Sequence, residues 1–426
     1  MRHATLSLAI ALTALMACGS EETPAEEGAP IATLLEEVPL IDGHNDVPWQ
    51  YRTRVQNHLA QMDLATDLRG LDKPMHTDIP RLRQGGVGGQ FWSVYIPVGL
   101  GGPGAVRATL EQIDLTKRLV ERYADTFELA MTADDIERIH AAGKIASLMG
   151  MEGGHSIESS LAALRQLYAA GARYMTITHS KNTDWADSGT DDPEHDGLTR
   201  FGREVIREMN RMGMLVDLSH VSKKTMHDAL DVTEAPVIFS HSSARGVTDH
   251  PRNVPDEILT RLKETDGVVM VTFVPGYVSD GAKQHRDDRE AEQKRLQAEL
   301  GEGSEELEAA MSRWDDSNPE PKATLADVAD HIDHIRRVAG ASHVGLGGDY
   351  DGITTVPVGL EDVSKYPDLL EELRRRGYSD DELRGIIGKN LLRVLRGVEE
   401  VAARLQKERP ASDALIDELD GSDQGR

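Results

Sequence analysis

Histidine and carboxylate residues stand at the ends of four β-rich segments in this 426-residue chain. They are His44 and Asp46 in the first segment, Glu152 in the third, His220 in the fifth and His241 in the sixth. Residues i and i+2 of a strand share a face, so His44 and Asp46 can point to one centre. Nitrogen and oxygen ligands without sulfur suit Zn²⁺, and also Mn²⁺ or Co²⁺. Five ligands exceed one tetrahedral site, which predicts two metal ions sharing a carboxylate and a water molecule, an arrangement used in hydrolysis.

A competing interpretation treats each histidine as a hydrogen-bonded core or cap residue. For any single histidine this interpretation is the commoner one. It must hold independently for four segments, however, and in a barrel all four would bring their polar residues to the same end. The metal-site interpretation is therefore favoured for the set.

The elements that must position these residues alternate between β-rich runs and segments of helical pattern. The eight β-rich runs are 38–46, 88–96, 145–152, 173–179, 215–220, 237–241, 268–274 and 344–349. Eight βα units on a chain of this length predict a closed (β/α)8 barrel of the TIM type. A doubly wound open sheet is the alternative, but no glycine-rich dinucleotide motif follows the first strand.

Composition excludes several classes of protein. Acidic residues outnumber basic ones 73 to 47, giving a net charge of −26. We therefore expect no nucleic-acid binding, which needs clustered Lys and Arg. The single cysteine excludes an internal disulfide framework and cysteine-rich metal sites.

The N-terminus has the pattern of an export signal. A basic start is followed by about a dozen apolar residues, and the run ends Leu-Met-Ala-Cys at Cys18. This resembles a bacterial lipobox and predicts a signal peptide over 1–17, with lipidation of Cys18. The alternative is an ordinary secretory signal that contains a cysteine. Residues 18–36 are predicted to be a flexible acidic tether, and the protein is expected in the bacterial cell envelope, lipid-anchored in the periplasm or on the outer surface.

The catalytic barrel is predicted over 37–400, followed by an acidic tail over 401–426 that frays. Residues 280–322 interrupt the barrel between its seventh and eighth strands with 13 acids and 7 bases. We interpret this insertion mainly as a solvated helical hairpin, and alternatively as a lid. His331 and His334, spaced i, i+3, are assigned to an exposed helical face rather than to metal.

Eight motifs resemble those of the membrane dipeptidase (renal dipeptidase) family of zinc peptidases, which have amidohydrolase-like barrels. They are IDGHND (41–46), EGGHS (152–156), THSKNT (178–183), DLSHVS (217–222), IFSHSS (238–243), RNVPD (252–256), GGDYDG (347–352) and GLEDVS (359–364). The resemblance runs in order from about residue 38 to 397.

The resemblance implies a pair of zinc ions. His44 and Asp46 would hold one ion, His220 and His241 the other, and Glu152 would bridge them.

Further roles follow from the same resemblance. Asp349 would be the acid/base group, with Asp351 as the alternative, and His179 would contact the substrate near the scissile carbonyl. Arg252 would bind the free carboxylate of a dipeptide, assisted by Tyr277. His155 is assigned a structural role.

The sequence thus predicts a dinuclear zinc dipeptidase that accepts dipeptides, including some with a D-residue at the C-terminal side. A related amidohydrolase acting on N-acyl amino acids, lactones or β-lactams is one alternative, and Arg252 disfavours substrates without a carboxylate. A non-catalytic, peptide-binding lipoprotein is another. Homodimers occur in the family, so the resemblance also implies a homodimer.

Overall fold

A closed barrel of parallel strands forms the centre of the molecule. The computed structural model describes residue 1 and residues 28–100 and 102–421. Its strands are β1 (Leu40–Asn45), β2 (Val87–Tyr95), β3 (Phe127–Leu129), β4 (Ile145–Glu152), β5 (Ala172–Thr176), β6 (Leu215–Asp217), β7 (Val237–Phe239), β8 (Val268–Val271) and β9 (Val344–Leu346). Eight of them close the ring in the order β1-β2-β4-β5-β6-β7-β8-β9, and β3 pairs with β4 beside it. Each of the eight predicted β-rich runs overlaps one barrel strand, with β2 and β5 beginning one residue earlier than predicted, and the (β/α)8 barrel is confirmed.

Helices surround the ring and connect its strands. They are α1 (Ile31–Glu37), α2 (Val47–Val55), α3 (Ile79–Gln84), α4 (Ala105–Arg122), α5 (Ala133–Ala141), α6 (Leu161–Ala169), α7 (Arg200–Met212), α8 (Lys223–Val232), α9 (Asp256–Thr265), α10 (Pro275–Val278), α11 (Asp280–Leu300), α12 (Glu305–Ser317), α13 (Leu325–Val338), α14 (Tyr366–Arg375), α15 (Asp380–Arg384), α16 (Asn390–Glu408) and α17 (Ile416–Leu419). A π-helical segment, Gly385–Lys389, joins α15 to α16. Within the described residues, no helix is both long and apolar enough to cross a membrane.

The core lies between the strands and the helices. Strand β8 reads Val-Val-Met-Val and is buried throughout, as expected for a parallel strand covered on both sides. Helix α7 shows how a helix is delimited: the Thr199 side chain accepts a hydrogen bond from the Gly202 amide at its start. Gly213 ends it at φ 87°, a conformation that favours glycine. Phe201 and Val205 on its inner face are fully buried.

Parallel pairing brings the carboxyl ends of the strands to one rim. The register aligns Tyr95 with Glu152 between β2 and β4. It also aligns Asp217 with Thr176 on β5 and with Ile238 on β7. Residues at or just after these strand ends are therefore neighbours in space, although they lie far apart in the sequence.

The structure corrects the C-terminal end of the predicted tether. Residues 31–37 form α1, and its residues Ile31, Leu34 and Leu35 are buried. Their i, i+3, i+4 spacing gives the short helix one apolar face that packs on the barrel. Residues 2–17 of the predicted signal peptide and the first ten residues of the tether, Cys18 among them, lie outside the described residues.

The predicted tail is also corrected. Helix α16 continues to Glu408, with Ala402 and Leu405 buried. Further on, the Asp420 carboxylate accepts hydrogen bonds from the amides of Arg200 and Phe201 at the start of α7. The segment up to residue 421 is therefore held against the barrel rather than frayed.

The insertion between the seventh and eighth barrel strands contains the expected helical hairpin, α11 and α12. Its helices meet through a small apolar cluster of Leu296, Leu307 and Met311. The predicted exposure of His331 and His334 is wrong, since both are buried on α13. The i, i+3 spacing that suggested an outer face instead points both rings at neighbouring elements.

Candidate metal centre

The five predicted metal ligands meet at the carboxyl-end rim of the barrel. His44 belongs to β1, and Asp46 is the first residue after that strand. Glu152 is the last residue of β4, His220 lies three residues after β6, and His241 lies two residues after β7. None of the five is more than 8 % exposed. A buried group of this kind requires charge compensation, because solvent cannot supply it.

Glu152 lies at the centre of the group. Its Oε2 is 3.5 Å from His44 Nε2, and that same nitrogen is 3.3 Å from Asp46 Oδ2. Its Oε1 faces the other side, 3.1 Å from His220 Nε2 and 3.4 Å from His241 Nε2. The two oxygens of one carboxylate therefore face two different sets of ligand atoms.

The ligand atoms form overlapping triads in which all atoms lie within 4.8 Å of one another. The triads are His44–Glu152–His241, Glu152–His179–His220 and His44–Asp46–Asp349. Glu152 and His44 each belong to two triads, so the group is continuous.

The electrostatics give His220, His241 and Glu152 the protonation states that a metal needs, whereas the pKa of His44, which burial lowers, is raised well above its usual value by Tyr174, Glu152 and Asp46. Burial lowers the pKa of His220 and of His241 well below the ordinary value, so both imidazoles are neutral at pH 7. Burial on its own raises the pKa of the Glu152 carboxyl, but the surrounding histidines outweigh it and hold that pKa well below its usual range. Neutral imidazole and ionised carboxylate are the ligand forms of divalent zinc.

A hydrogen-bonded relay sets the tautomer of His241. The Asp217 carboxylate accepts bonds from two backbone amides and from the hydroxyls of Thr176 (2.6 Å) and Ser240 (2.6 Å). Ser240 has one hydroxyl proton, and Asp217 takes it. The Ser240 oxygen must therefore accept from His241 Nδ1–H, 2.8 Å away. His241 Nε2 is left without a proton and faces the centre.

A second relay sets the tautomer of His44. The Tyr174 hydroxyl donates to the Gly43 carbonyl at 3.2 Å, so it accepts from His44 Nδ1–H at 2.9 Å. Burial raises the pKa of Tyr174, which keeps its proton. Its ring crosses the barrel over Gly150, where a Cβ would overlap the phenol. Glycine at that position is what admits the ring.

Several atoms at the centre lack partners among the described residues. His44 Nε2 and His220 Nδ1 are buried without a hydrogen bond. His220 Nε2 lies 2.9 Å from the unprotonated His241 Nε2. His220 also has a left-handed backbone, with φ 70°, which is strained for a histidine and is typical of functional sites. Divalent metal fits this donor set, because it would satisfy the inward-facing nitrogens and oxygens together.

The structure separates the two candidate acid/base groups. Asp349 lies beside His44 and Asp46. Burial raises the pKa of Asp349 well above its usual range, and the neighbouring carboxylates add to that rise. Asp351 instead accepts a hydrogen bond from the His76 amide at 2.8 Å. Only Asp349 of this pair faces the ligand group.

The three predicted substrate contacts lie on the same rim. His179 is 18 % exposed and places Nε2 3.6 Å from Glu152 Oε1, so it borders the centre. Arg252 is 2 % exposed and donates to the His241 carbonyl at 3.3 Å. Within the described residues, no carboxylate pairs with its guanidinium. Tyr277 stacks on the ring of His250, and the Arg252 guanidinium lies 5.3 Å from the centre of the Tyr277 ring.

Three other histidines have hydrogen-bond partners within the protein, which supports a structural role for each. His155 donates through Nε2 to the Ile96 carbonyl at 3.0 Å. His331 Nδ1 accepts from an amide, and its Nε2 donates to the Val278 carbonyl. His334 Nε2 lies 2.6 Å from Asp256 Oδ1.

Sequence reasoning missed the relay residues Tyr174, Asp217, Ser240 and Thr176. Asp217 opens one of the recognised motifs, yet its link to His241 passes through Ser240, which follows a different strand, β7. No local pattern reports such a link. An inward-facing hydroxyl or carboxylate on a strand beside a ligand is the signal that could have found it.

Comparison with known proteins places this geometry in a family. The profile of the membrane dipeptidases, peptidase family M19, matches residues 29–409. The chain belongs to the membrane dipeptidase family.

Solved structures agree with this assignment. The probable dipeptidase PvdM from Pseudomonas aeruginosa has the same fold, with 24 % identity, a TM-score of 0.74, and 87 % of this chain and 98 % of that chain covered. Dipeptidase AC, a metallo peptidase, is 27 % identical with a TM-score of 0.66, over 85 % of this chain and 98 % of that chain. A metallo peptidase from Rhodobacter sphaeroides, liganded with a phosphinate mimic of the dipeptide L-Ala-D-Ala, is 26 % identical with a TM-score of 0.66, over 85 % and 99 %.

Membership confirms the predicted enzyme class. This membrane dipeptidase family member is a metal-dependent hydrolase acting on dipeptides. Its metal requirement agrees with the clusters of histidine and carboxylate ligands at the rim.

Proposed function

We propose that this protein is a dinuclear zinc dipeptidase. The observation that carries the proposal is the position of Glu152, whose two oxygens face His44 on one side and His220 with His241 on the other. A bridging carboxylate serves two ions held a few ångströms apart. Zinc is favoured because the ligands are neutral imidazoles and carboxylates without sulfur, a set that Mn²⁺ or Co²⁺ could also occupy.

The site residues support a division of work in peptide hydrolysis. When bound, the ion pair supplies Lewis acidity, which lowers the pKa of a water molecule and polarises a carbonyl. Asp349 accepts the proton of that water and delivers it to the leaving amine, a role suited to a carboxyl with a raised pKa. His179, on the border of the centre, donates a hydrogen bond to the developing oxyanion.

Arg252 orients the substrate. A guanidinium buried to this degree without a carboxylate partner is a costly arrangement that a bound anion relieves. The free carboxylate of a dipeptide supplies that anion in planar, bidentate geometry. Tyr277 lies against the guanidinium and restricts its orientation.

Dipeptides with a D-residue at the C-terminal side belong to the proposed substrates. The relative liganded with a mimic of L-Ala-D-Ala supports this part of the proposal. A panel of L-Ala-L-Ala, L-Ala-D-Ala, an N-acyl amino acid, a lactone and a β-lactam separates the proposal from its alternatives. We expect turnover of dipeptides with a free carboxylate. Faster turnover of a lactone would favour the broader amidohydrolase assignment.

Metal removal tests the dinuclear centre. Dialysis against a chelator should abolish hydrolysis of L-Ala-L-Ala and L-Ala-D-Ala, and two equivalents of Zn²⁺ should restore it. Full activity in the metal-free protein, or saturation at one equivalent, contradicts the proposal. Binding of dipeptides without turnover by the zinc-loaded protein would instead support a non-catalytic binder.

A matched pair of variants tests the acid/base assignment. Asp349→Asn should retain two zinc ions and lose at least about a hundredfold in kcat, the lower range of general acid–base contributions. Asp351→Asn keeps an acceptor for the His76 amide and should retain the activity of the wild type. Equal losses in both variants would show that Asp349 has no special role.

We also propose export and lipid anchoring through Cys18, supported by the signal-like N-terminal sequence. Incorporation of labelled fatty acid into the wild type but not into Cys18→Ala tests it. The homodimer stays a prediction, and sedimentation equilibrium of a protein lacking residues 1–17 checks it.

A further inference from the structure

A cavity of about 530 Å³ separates the barrel rim from the inserted hairpin. On the barrel side it is lined by residues 274–276, around the start of α10, and by residues 352–355, after β9. On the hairpin side it is lined by His285, Arg286 and Arg289 of α11 and by residues near the end of α12. Its volume lies in the range of small-molecule sites, so it can admit a side chain of a bound substrate.

The cavity adjoins the ligand group. Gly352 lines it, and a Cβ on Gly352 would overlap the carboxylates of Asp46 and Asp349. Gly352 thus borders both the cavity and these carboxylates, and any side chain there would clash with them. A substrate whose scissile bond lies at the centre can extend a side chain in this direction.

Two arginines lie close to one aromatic ring, that of Tyr277, which directly follows the lining residues 274–276. The Arg252 guanidinium carbon lies 5.3 Å from the centre of the Tyr277 ring, and the Arg286 carbon lies 5.4 Å from it. The two carbons are therefore at most about 10.7 Å apart, the sum of both distances. Arg252 belongs to the barrel, whereas Arg286 belongs to the insertion.

Arg286 is the cation on this wall that is free to bind an anion. The Arg286 guanidinium lies 3.9 Å from a carboxylate oxygen of Asp287. Among the described residues, this guanidinium has no hydrogen-bond partner. Arg289 is bound by both oxygens of Asp315, at 2.7 and 3.0 Å. Glu320, also on the wall, is exposed to solvent, which screens its charge.

The pKa of the neighbouring His250 responds to the positive charges around it. Burial, together with the positive charges of Arg286 and Arg252, lowers the pKa of His250 to about 2. Its ring stays neutral and stacks on Tyr277 with centroids 4.3 Å apart. The positive charges that act on this ring are those of Arg286, Arg252, Lys283 and Arg245.

We propose that the cavity is a subsite for an acidic side chain on the C-terminal residue of the dipeptide, with Arg286 binding the side-chain carboxylate. The inference rests on the proposed function, in which Arg252 binds the α-carboxylate. The two carboxyl carbons of an extended glutamate are about 5 Å apart, and each guanidinium–carboxylate pair adds about 4 Å. That reach of about 13 Å exceeds the largest separation of the two arginines. The insertion thus determines substrate preference.

Isosteric substrates test the subsite. The ratio of kcat/KM for alanyl-glutamate over alanyl-glutamine should be about fivefold or more in the zinc-loaded wild type, for the chirality of the second residue that is cleaved faster. Arg286→Met should bring the ratio to within about twofold of one. Arg295→Met is the matched control on the same helix, where Glu292 and Glu299 already bind the guanidinium, and it should keep the wild-type ratio.

A ratio near one in the wild type, or a preserved ratio in Arg286→Met, overturns the subsite while leaving the dipeptidase proposal intact. Calorimetric measurement of peptide binding to the zinc-loaded Asp349→Asn variant distinguishes failure of the subsite from failure of the dipeptidase proposal. Tighter binding of alanyl-glutamate than of alanyl-glutamine there, lost on adding Arg286→Met, supports the subsite even if no peptide is cleaved. Equal binding of both peptides there overturns it.

Discussion

The carboxyl-end rim of the barrel and the hairpin of α11 and α12 are both dense in ionisable side chains, yet they differ in environment. At the rim, the five ligand residues are at most 8 % exposed. The carboxylates of Asp46 and Glu152 lie within 3.6 Å of histidine nitrogens, and no lysine takes part in these contacts. In the hairpin, pairs such as Lys294–Glu290 are more than 60 % exposed and bridge successive turns of one helix.

The difference shows that burial, rather than composition, makes a charge cluster chemically informative. Solvent compensates each hairpin charge, so its ion pairs contribute little. The rim charges have no such compensation and require a cation or a substrate. The histidines repeat this contrast: His331 has protein partners at both ring nitrogens, whereas His220 Nδ1 has none within the described residues.

The largest expected effect comes from Glu152→Gln at the centre of the rim. Loss of the shared negative charge should remove at least one metal ion and lower kcat/KM for dipeptides by about a thousandfold. Metal analysis and kinetics on the same sample measure both quantities. Glu158→Gln is the control, because its side chain accepts amide bonds from Gly104 and Val106 outside the rim. A Glu152→Gln enzyme with two zinc ions and full activity would contradict the bridging role.

The buried His331 should make the stability of the fold depend on pH, unlike the exposed charges of the hairpin. Burial lowers its pKa from 6.5 to about 4, so the folded state favours the neutral ring. Its contribution to stability is therefore complete above pH 6.5 and is lost as the pH falls towards 4, by about 3 kcal/mol in total. In urea unfolding, the stability gap between wild type and His331→Gln should narrow over this pH range. A gap independent of pH would refute the assignment.

Ser240→Ala breaks the relay between Asp217 and His241 while leaving every predicted metal ligand unchanged. Loss of the tautomer control should weaken zinc affinity by about tenfold to a hundredfold, measured by competition with a chromogenic chelator. Ser243→Ala is the matched control, since this serine is also fully buried but donates to the Thr272 carbonyl. Equal affinities in the two variants would show that the relay is dispensable.

The smallest effect is expected in the hairpin. Lys294→Met removes one exposed partner of Glu290 and should change Tm by less than about 2 °C, with kinetics unchanged. Differential scanning calorimetry and a single dipeptide assay suffice. A loss of more than about 5 °C would mean that hairpin ion pairs stabilise the fold as the rim contacts do.

Much of the fold was predictable because its signals are local. All eight barrel strands follow from apolar runs that end in polar residues or glycine, and the hairpin follows from its charge pattern. Strand β3 was missed because only the first of its three residues, Phe127, is buried, so it lacks the apolar run of a barrel strand. Helix α1 was missed because an acidic, proline-containing stretch precedes its single apolar face.

The sequence by itself determined the ligand types and their order along the strands, because strand ends in a parallel barrel must meet at one rim. It left open which carboxylate, Asp349 or Asp351, faces the centre. The tertiary structure decided this, since the His76 amide, from a distant segment, binds Asp351. It also decided that Arg286 of the insertion lies 5.4 Å from the centre of the Tyr277 ring, beside the barrel rim. Contacts between residues far apart in the chain depend on packing, which no local pattern encodes.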